Sequence, residues 1–260
     1  MNMEKKFELT DNFIINAFGV KLFQIKCTKS FKYAKEGDLG GYVEKDENLD
    51  QESDAWVSGN AEVSGDAWVS GNAEVSGDAW VSGDARVAGN ARVSGDARVA
   101  GDAWVSGNAE VSGDAWVSGD AWVSGNAEVS GNARVSGDAR VAGNARVAGN
   151  AWVSGDARVA GNARVAGNAW VSGNARVYGY AEIDNNNKHC GFDCFGSANR
   201  HTHAYLTKEN KVEITCGCFR GSIEEFEKRV EETHSGTIYE KQYKAIIDVI
   251  KIKFGLTDLI

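Results

Sequence analysis

Small, variable and aliphatic positions alternate with strict regularity through the middle of the chain. From residue 54 to residue 179 the unit (D/N)-A-(W/E/R)-V-(S/A)-G occurs in 21 consecutive copies, and Tyr178 in the last copy is its one departure. Residues two apart in an extended strand share a side, so Ala and Val face one way and the variable residue faces the other. The Gly and Asp or Asn that follow favour turns. The pattern predicts a short strand and a corner in every copy, which together make a β-solenoid.

An amphipathic helix is excluded, because its apolar period is 3.6 and glycine in every sixth position would disrupt it. A small residue two positions before an aliphatic one, at a six-residue period, resembles the hexapeptide repeat of left-handed parallel β-helices in the hexapeptide transferase-like superfamily. That resemblance implies three copies per triangular coil, so 21 copies predict about seven coils with Ala and Val inside. The left hand comes from the resemblance, since the crossover rule for parallel strands favours the right.

We therefore predict a mainly β fold: a left-handed parallel β-helix of about seven coils, with an N-terminal β cap and a small C-terminal α+β module. The expected boundaries are 1–53 for the cap, 54–185 for the hexapeptide-repeat β-helix and 186–260 for the module. A cap is expected because uncovered coil ends expose unpaired strand edges. Within it, FIINAF and VKLFQIKC predict strands on either side of Gly19.

The segment after the repeats predicts a ββαα module, joined by a linker at residues 185–188. Its two predicted strands are HAYLT and KVEITCGCF. Ser222 forms a capping box with Glu225 at the start of a first helix, and Thr237 opens a second. The residues predicted to face inward are Ile223, Phe226 and Val230 on the first helix and Tyr243, Ile246, Ile247 and Ile250 on the second.

Three stretches resemble uncharacterised hexapeptide-repeat proteins of phages and prophages. They are FKYAKEGDLGGYVEKDENL before the repeats, the near-identical repeats themselves, and the ending FGSANR…CGCFRGSIEEFEKRVEETH, with its CGCF…TH module. The resemblance covers almost the whole chain and implies a protein of a bacterial host cell. It implies no established activity.

The variable position of each repeat points outward and sorts into three columns, one for each side of the predicted coil. Face one carries Trp56, Glu74, Arg92, Glu110, Glu128, Arg146 and Arg164. Face two carries Glu62, Trp80, Arg98, Trp116, Arg134, Trp152 and Trp170. Face three carries Trp68, Arg86, Trp104, Trp122, Arg140, Arg158 and Arg176. Faces two and three thus hold all but one of the tryptophans, with arginines between them in positions suited to cation–π stacking.

A column of aspartates lies between faces two and three, and we call it the aspartate corner. Its members are Asp66, Asp84, Asp102, Asp120, Asp138 and Asp156. Their mutual repulsion is offset either by Arg86, Arg140 and Arg158 on face three or by a bound cation. Alternatively, Asp and Asn are interchangeable at a corner, and duplication copied whole coils. The corner before face one carries asparagine from Asn72 to Asn162 instead.

Composition narrows the function classes. A net charge of −9 argues against binding a nucleic-acid backbone. No apolar run approaches the roughly 18 residues of a membrane-spanning helix, and the first residues lack the apolar stretch of a signal peptide. Five cysteines, an odd number, fit a reducing cytoplasm better than a disulfide framework.

Enzymatic chemistry has few candidates. Acyltransferases of the hexapeptide-repeat superfamily use a coil-edge histidine as general base beside coenzyme A, but His189, His201, His203 and His234 all follow the repeats. Cys190, Cys194, Cys216 and Cys218 are weak candidates for a zinc site, because their C-x3-C and C-x-C spacings are uncommon for zinc. Buried free thiols are the favoured interpretation, and a nucleophile pair of His234 with one thiol is a further alternative.

The leading hypothesis is a non-enzymatic binding or scaffold protein without cofactor or metal. It would self-associate as a dimer or trimer, or bind a host protein or a small, nucleotide-like molecule, and involve neither nucleic acid nor membrane. The alternative hypothesis is an acyltransferase that uses a coenzyme-A thioester. The residues expected to contact the partner or ligand are Trp68, Trp80, Trp104, Trp116, Trp122, Trp152, Trp170, Asp84, Asp102, Asp120, Arg98 and Arg134. A competing interpretation is that each indole merely covers its neighbour in the column.

Overall fold

A computed structural model describes residues 5–256, and its central part, residues 54–183, is a solenoid whose turns are built from short parallel strands and corners. The N-terminal strands are β1 (Phe7–Ile15), β2 (Lys21–Cys27) and β3 (Leu39–Val43). The coil strands are β4 (Trp56–Val57), β5 (Glu62–Val63), β6 (Trp68–Val69), β7 (Glu74–Val75), β8 (Trp80–Val81), β9 (Arg86–Val87), β10 (Arg92–Val93), β11 (Arg98–Val99), β12 (Trp104–Val105), β13 (Glu110–Val111), β14 (Trp116–Val117), β15 (Trp122–Val123), β16 (Glu128–Val129), β17 (Arg134–Val135), β18 (Arg140–Val141), β19 (Arg146–Val147), β20 (Trp152–Val153), β21 (Arg158–Val159), β22 (Arg164–Val165), β23 (Trp170–Val171), β24 (Arg176–Val177) and β25 (Glu182–Ile183). The C-terminal elements are the strands β26 (His189–Phe195), β27 (Arg200–Leu206), β28 (Val212–Cys216) and β29 (Phe219–Gly221), and the helices α1 (Ile223–His234) and α2 (Ile238–Lys253).

The coil strands form three parallel sheets, which correspond to the three predicted faces. Face one runs in eight strands from β4 to β25, and face three in seven strands from β6 to β24. Face two contains β5 to β23 and is extended by β3, β2 and β1. Each strand pairs in register with the strand one turn away, as in Arg98 with Trp116.

The solenoid has about eight turns rather than the seven predicted from the uninterrupted repeats. The additional pairings come from β3, which is parallel to β5, from Leu49, which bridges Val69, and from β25, which is parallel to β22. Gly41-Tyr42-Val43 and Ala181-Glu182-Ile183 keep the small–variable–aliphatic order without the full six-residue motif. The backbone therefore continues the coil beyond the recognisable repeats.

The interior consists of the Ala and Val of every repeat, as predicted. These side chains are almost wholly buried, including Ala115 and Val117 at 0% exposure. The turns are joined by backbone hydrogen bonds between residues about one coil apart, such as Trp116 N to Ala133 O and Ser118 N to Val135 O, both 2.9 Å. Burial of each valine contributes about 1.5–3 kcal/mol relative to an exposed one.

The repeat glycines are required by the corner geometry. Gly107 has a φ of +71°, a left-handed conformation that side chains with a Cβ rarely adopt. A Cβ built there would lie 2.9 Å from the backbone N and O of Gly125, one turn further on. Glycine therefore supplies both the backbone conformation and the close approach of adjacent turns.

An N-terminal hairpin packs against the first turns. Strands β1 and β2 are antiparallel around Gly19, which confirms the two predicted strands, although β1 begins earlier than predicted, at Phe7. Phe7 and Ile25 are buried together with the coil interior. The Asn48 side-chain amide donates to Gly65 O and Ala67 O at 3.0 and 2.8 Å, so these backbone acceptors are satisfied.

The C-terminal module contains four antiparallel strands, in the order β26–β27–β28–β29, and two helices. The ββαα prediction is therefore wrong in its strand count, because β26 carries glycine and charged residues and β29 has only three residues. Both helices are confirmed, with Ser222 and Thr237 at their N-caps. All seven residues predicted to face inward on the helices are buried.

Tyr205 connects the module to the solenoid. Its side chain is fully buried and packs in the same apolar cluster as the coil interior. Its hydroxyl accepts a hydrogen bond from the backbone N of Tyr178 at 3.2 Å, and Thr207 forms a bridge with Ala181. An aromatic side chain of the module thus extends the apolar interior of the last coil.

We predict that Val117→Asp destabilises the protein far more than Trp116→Ala. The first change buries an unpaired carboxyl group and should cost at least about 4 kcal/mol, whereas the second shortens a side chain that is 40% exposed. Thermal unfolding followed by circular dichroism measures both changes. Equal losses of stability at the two neighbouring positions would contradict the assignment of the inside and outside of the coil.

Candidate partner-binding surface

Faces two and three present most of the tryptophans to solvent. Six of them are 37–51% exposed: Trp68, Trp104, Trp116, Trp122, Trp152 and Trp170. Trp80 is half-buried, because Phe18 of the N-terminal hairpin stacks on it with ring centroids 4.7 Å apart. Trp56 on face one is only 3% exposed and meets Phe31 edge to face. The hairpin therefore covers Trp80 and leaves the other predicted contact tryptophans accessible.

Neighbouring indoles stack along the columns. Trp104 and Trp122 are 5.2 Å apart and 4° from parallel, and Trp152 and Trp170 are 5.3 Å apart and 10° from parallel. One ring face of each is covered by its partner, while the ring remains partly exposed. The rings therefore do cover one another, as the competing interpretation proposes, and they also form an accessible apolar strip.

Arginine and serine side chains hold the rings in place. The guanidinium carbons of Arg98, Arg134 and Arg140 lie 5.6–5.9 Å from the indole centroids one turn away. The indole N–H of Trp122 donates to the Ser106 hydroxyl at 3.3 Å, and the equivalent bonds of Trp152 and Trp170 measure 3.2 and 3.4 Å. These contacts fix the orientation of the rings on the surface of the coil.

The two kinds of corner differ in their hydrogen bonding. In the corner before face one, each asparagine from Asn72 to Asn144 donates its amide to the next at 2.9–3.1 Å, so six side chains form one ladder. In the aspartate corner, Asp66 pairs with Lys45 at 2.6 Å. No hydrogen bond or ion pair within residues 5–256 engages the five other carboxylates, Asp84, Asp102, Asp120, Asp138 and Asp156. Carboxylates cannot donate to one another, so this corner is an exposed row of negative charge.

The corner chemistry predicts opposite effects for two reciprocal substitutions. Asp102→Asn should raise stability by about 0.5 kcal/mol, because the new amide is placed to donate to Asp120 as Asn60 donates to Asp78 at 3.0 Å. Asn108→Asp should lower it by about 1 kcal/mol, because the donor to Asn126 is lost. Chemical denaturation of both variants compares the effects. Shifts of the same sign would show that the ladder does not contribute to stability.

The interpretation of the module's cysteines as buried thiols is wrong for two of the four. Cys216 is buried, Cys190 is half-buried, and Cys194 and Cys218 are exposed. Burial raises the pKa of Cys190 to about 11, which keeps it a thiol at neutral pH. Within residues 5–256, no three His, Cys, Asp or Glu side chains are arranged to hold a metal ion.

Three of the four histidines lie together at the junction of the module and the last coil. His189 Nδ1 lies 3.1 Å from His203 Nε2, and His203 Nδ1 lies 3.3 Å from the carbonyl oxygen of Arg176 on face three. His201 Nδ1 lies 2.6 Å from an Asp193 carboxylate oxygen. Burial lowers the pKa of His189 to about 4 and that of His203 to about 3. Sequence reasoning missed this cluster, although the His-x-His spacing on β27 places His201 and His203 on one side of a strand.

The neutral histidine pair predicts a loss of stability in acid. In the unfolded chain both histidines bind a proton below about pH 6.5. In the folded protein His189 binds one only near pH 4 and His203 only near pH 3. The free energy of unfolding should therefore fall between pH 6.5 and pH 4, by up to about 1.4 kcal/mol per pH unit for each histidine. Urea unfolding of the wild type and of His189→Asn at pH 7, 6 and 5 measures the slope. An unchanged slope in the variant would contradict this account.

Comparison with protein families supports the class of the fold. A profile of the YdcK beta solenoid repeat matches residues 91–107, 127–143, 139–155 and 157–173. No curated protein matches the chain significantly in sequence. The geometry and the repeat match together define a β-solenoid repeat protein with a small C-terminal module of strands and helices. Among residues 5–256, neither α1 nor α2 has the length and apolar composition of a membrane-spanning helix.

Proposed function

We propose that the protein is a non-enzymatic binding scaffold, and that faces two and three with the aspartate corner form a contact surface for a second copy of the chain. The observation that supports this proposal best is the set of six exposed tryptophans on two adjacent faces of an uninterrupted solenoid. Contiguous exposed apolar surface usually marks a site of interaction. Tryptophan and arginine, which together make up nearly all of these two columns, are enriched among the residues that dominate the binding energy of protein interfaces.

A second copy fits because the sequence of face three is self-complementary. A two-fold axis through Trp122, perpendicular to the column, brings Trp104 opposite Arg140 of the other copy. It also brings Trp68 opposite the other copy's Arg176, which is half-buried and donates to Gly217 O within its own chain. These pairings are cation–π contacts, and an interface of this kind closes as a dimer. The same axis brings Arg86 opposite Arg158, where the neighbouring aspartate corner supplies compensating negative charge.

Acyl transfer finds less support. No histidine lies on a coil strand, and His203 is fully buried with its ring nitrogens near Arg176 O and His189. A general base must reach the proton that it removes from the acceptor. We therefore propose a binding role for the solenoid and no catalytic one.

The resemblance to phage and prophage proteins adds a context to the proposal. In this context we propose that the coil is left-handed and that the N-terminal hairpin caps it. We also propose that the protein acts in the cytoplasm of a bacterial host. The support is the match of the repeats and of the flanking stretches to that family's pattern, together with the burial of Phe7 and Ile25 beside the coil interior.

We predict that Trp104→Ser combined with Trp122→Ser dissociates the dimer. The two rings stack on each other, so both are replaced together to avoid leaving one ring without its stacking partner. Loss of both rings should raise the dissociation constant of the dimer at least about 100-fold. Sedimentation velocity over a range of concentrations measures the assembly state, and circular dichroism checks that the β-structure remains.

The matched control is Glu110→Ser combined with Glu128→Ser, one corner further along the same turns on face one. This control should leave the dimer intact. A wild-type protein that stays monomeric at about 100 μM, a weak affinity for a specific interface, would exclude the second copy as the occupant. A tryptophan variant that assembles like the wild type would exclude the proposed surface.

A further inference from the structure

A cavity in the C-terminal module lies outside the solenoid surface. It has a volume of about 300 Å³ and is enclosed by the start of β27, the turn between β28 and β29, and the two helices. Four of its ten lining residues carry aromatic rings. Phe226 packs between Phe219, at 5.0 Å, and Tyr243, which it meets edge to face at 5.6 Å. His234 stacks on Tyr243 with ring centroids 5.4 Å apart.

Two arginines line the same cavity. They are Arg200 at the start of β27 and Arg229 on α1. In the described part of the chain, neither guanidinium has a carboxylate within ion-pair distance, and no Asp or Glu lines the cavity. Arg220 on the adjacent strand, by contrast, is paired with Glu213. Both arginines are exposed to solvent, so their guanidinium groups are accessible to a bound anion at the edge of the cavity.

A glycine turn positions Arg200. Gly217 has a φ of +61°, and a Cβ built there would lie 2.8 Å from both Cδ and Nη1 of Arg200. The Gly217 carbonyl oxygen accepts a hydrogen bond of 2.7 Å from Arg176, on the last rung of face three. The turn is thus held from the solenoid side, and its missing side chain leaves room for the Arg200 guanidinium at the edge of the cavity.

A tyrosine with a neutral hydroxyl also lines the cavity. Burial raises the pKa of Tyr243 to about 12, so its hydroxyl keeps its proton at neutral pH. The hydroxyl oxygen lies 3.8 Å from the Cys216 sulfur, which is a weak partner. Among the described residues, this hydroxyl therefore lacks a strong hydrogen-bond partner.

We propose that this cavity binds a small aromatic anion, with its ring against Phe219 and Phe226 and its carboxylate or phosphate between Arg200 and Arg229. Guanidinium groups match the geometry of both anions and form charge-assisted hydrogen bonds with them. The cavity volume is at the lower end for small-molecule sites, which limits the ligand to about one ring and its charged group. This site is independent of the proposed solenoid interface.

Isothermal titration with four probes tests the proposal. Benzoate and phenyl phosphate carry both the ring and the charge, benzamide lacks the charge, and inorganic phosphate lacks the ring. At least one aromatic anion should bind saturably with one molecule per chain, at least about tenfold more tightly than benzamide and inorganic phosphate. The tighter of the two identifies the carboxylate or the phosphate class. Absence of saturable binding by both at about 10 mM would overturn the proposal.

Three variants locate the site. Arg200→Gln and Arg229→Gln should each weaken binding of the tighter probe by at least about tenfold. Arg92→Gln, an exposed arginine on face one, should leave it within about twofold. Arg229 lies on an exposed helix position, so its substitution tests the site even if Arg200→Gln fails to fold. Equal effects of all three variants, or no effect of any of them, would overturn the assignment of the binding site.

Thiol reactivity gives an independent readout. Cys218 is exposed and lines the cavity, whereas Cys194 is exposed on β26 and does not line it. The bound anion should slow alkylation of Cys218 by iodoacetamide and leave the rate at Cys194 unchanged, as measured by mass spectrometry of the digested protein. Equal protection of both thiols, or of neither at saturating probe, would contradict binding in this cavity.

Discussion

The backbone hydrogen bonds between successive turns are the constraint on which the rest of the structure depends. They fix the register so that every residue lies above the one 18 positions earlier, as Trp116 pairs with Arg98 and Arg134. Any chemical property repeated at that interval becomes a continuous column. The valine interior, the asparagine ladder and the tryptophan strips are all consequences of this one register.

The same register explains why so much of the solenoid could be predicted from the sequence. Ala and Val alternate with a variable residue in every repeat, and only one side of each strand can be apolar and buried. The assignment of Trp104, Trp116 and Trp152 to the outside follows from that pattern alone, and their exposure agrees with it. The sequence pattern failed to predict the coil pairings only where the six-residue motif lapses, at Tyr42-Val43, Leu49 and Ile183. Backbone pairing tolerates sequences there that do not match the motif.

The module and the side-chain contacts were harder to predict because they depend on long-range packing. Strand β26 reads HCGFDCF, a sequence without strong β-propensity, and it is a strand because β27 pairs with it. The stacking of Phe18 on Trp80 joins residues of different elements, so no local pattern indicates it. The histidine junction likewise needs His189, His203 and Arg176 to meet across the end of the last coil.

Indole rings that stack on each other within a column can also contact a partner, and the stacking favours such binding. A free indole on a surface loses rotational freedom when a partner fixes it, and that ordering subtracts from the affinity. Here Trp122 is already held by Trp104, Arg140 and the Ser106 hydroxyl, and Trp152 by Trp170 and Ser136. Much of the ordering occurs when the coil folds, where backbone pairing and valine burial offset it. The proposed partner would therefore meet rings that are already ordered, and a larger share of the contact energy would become affinity.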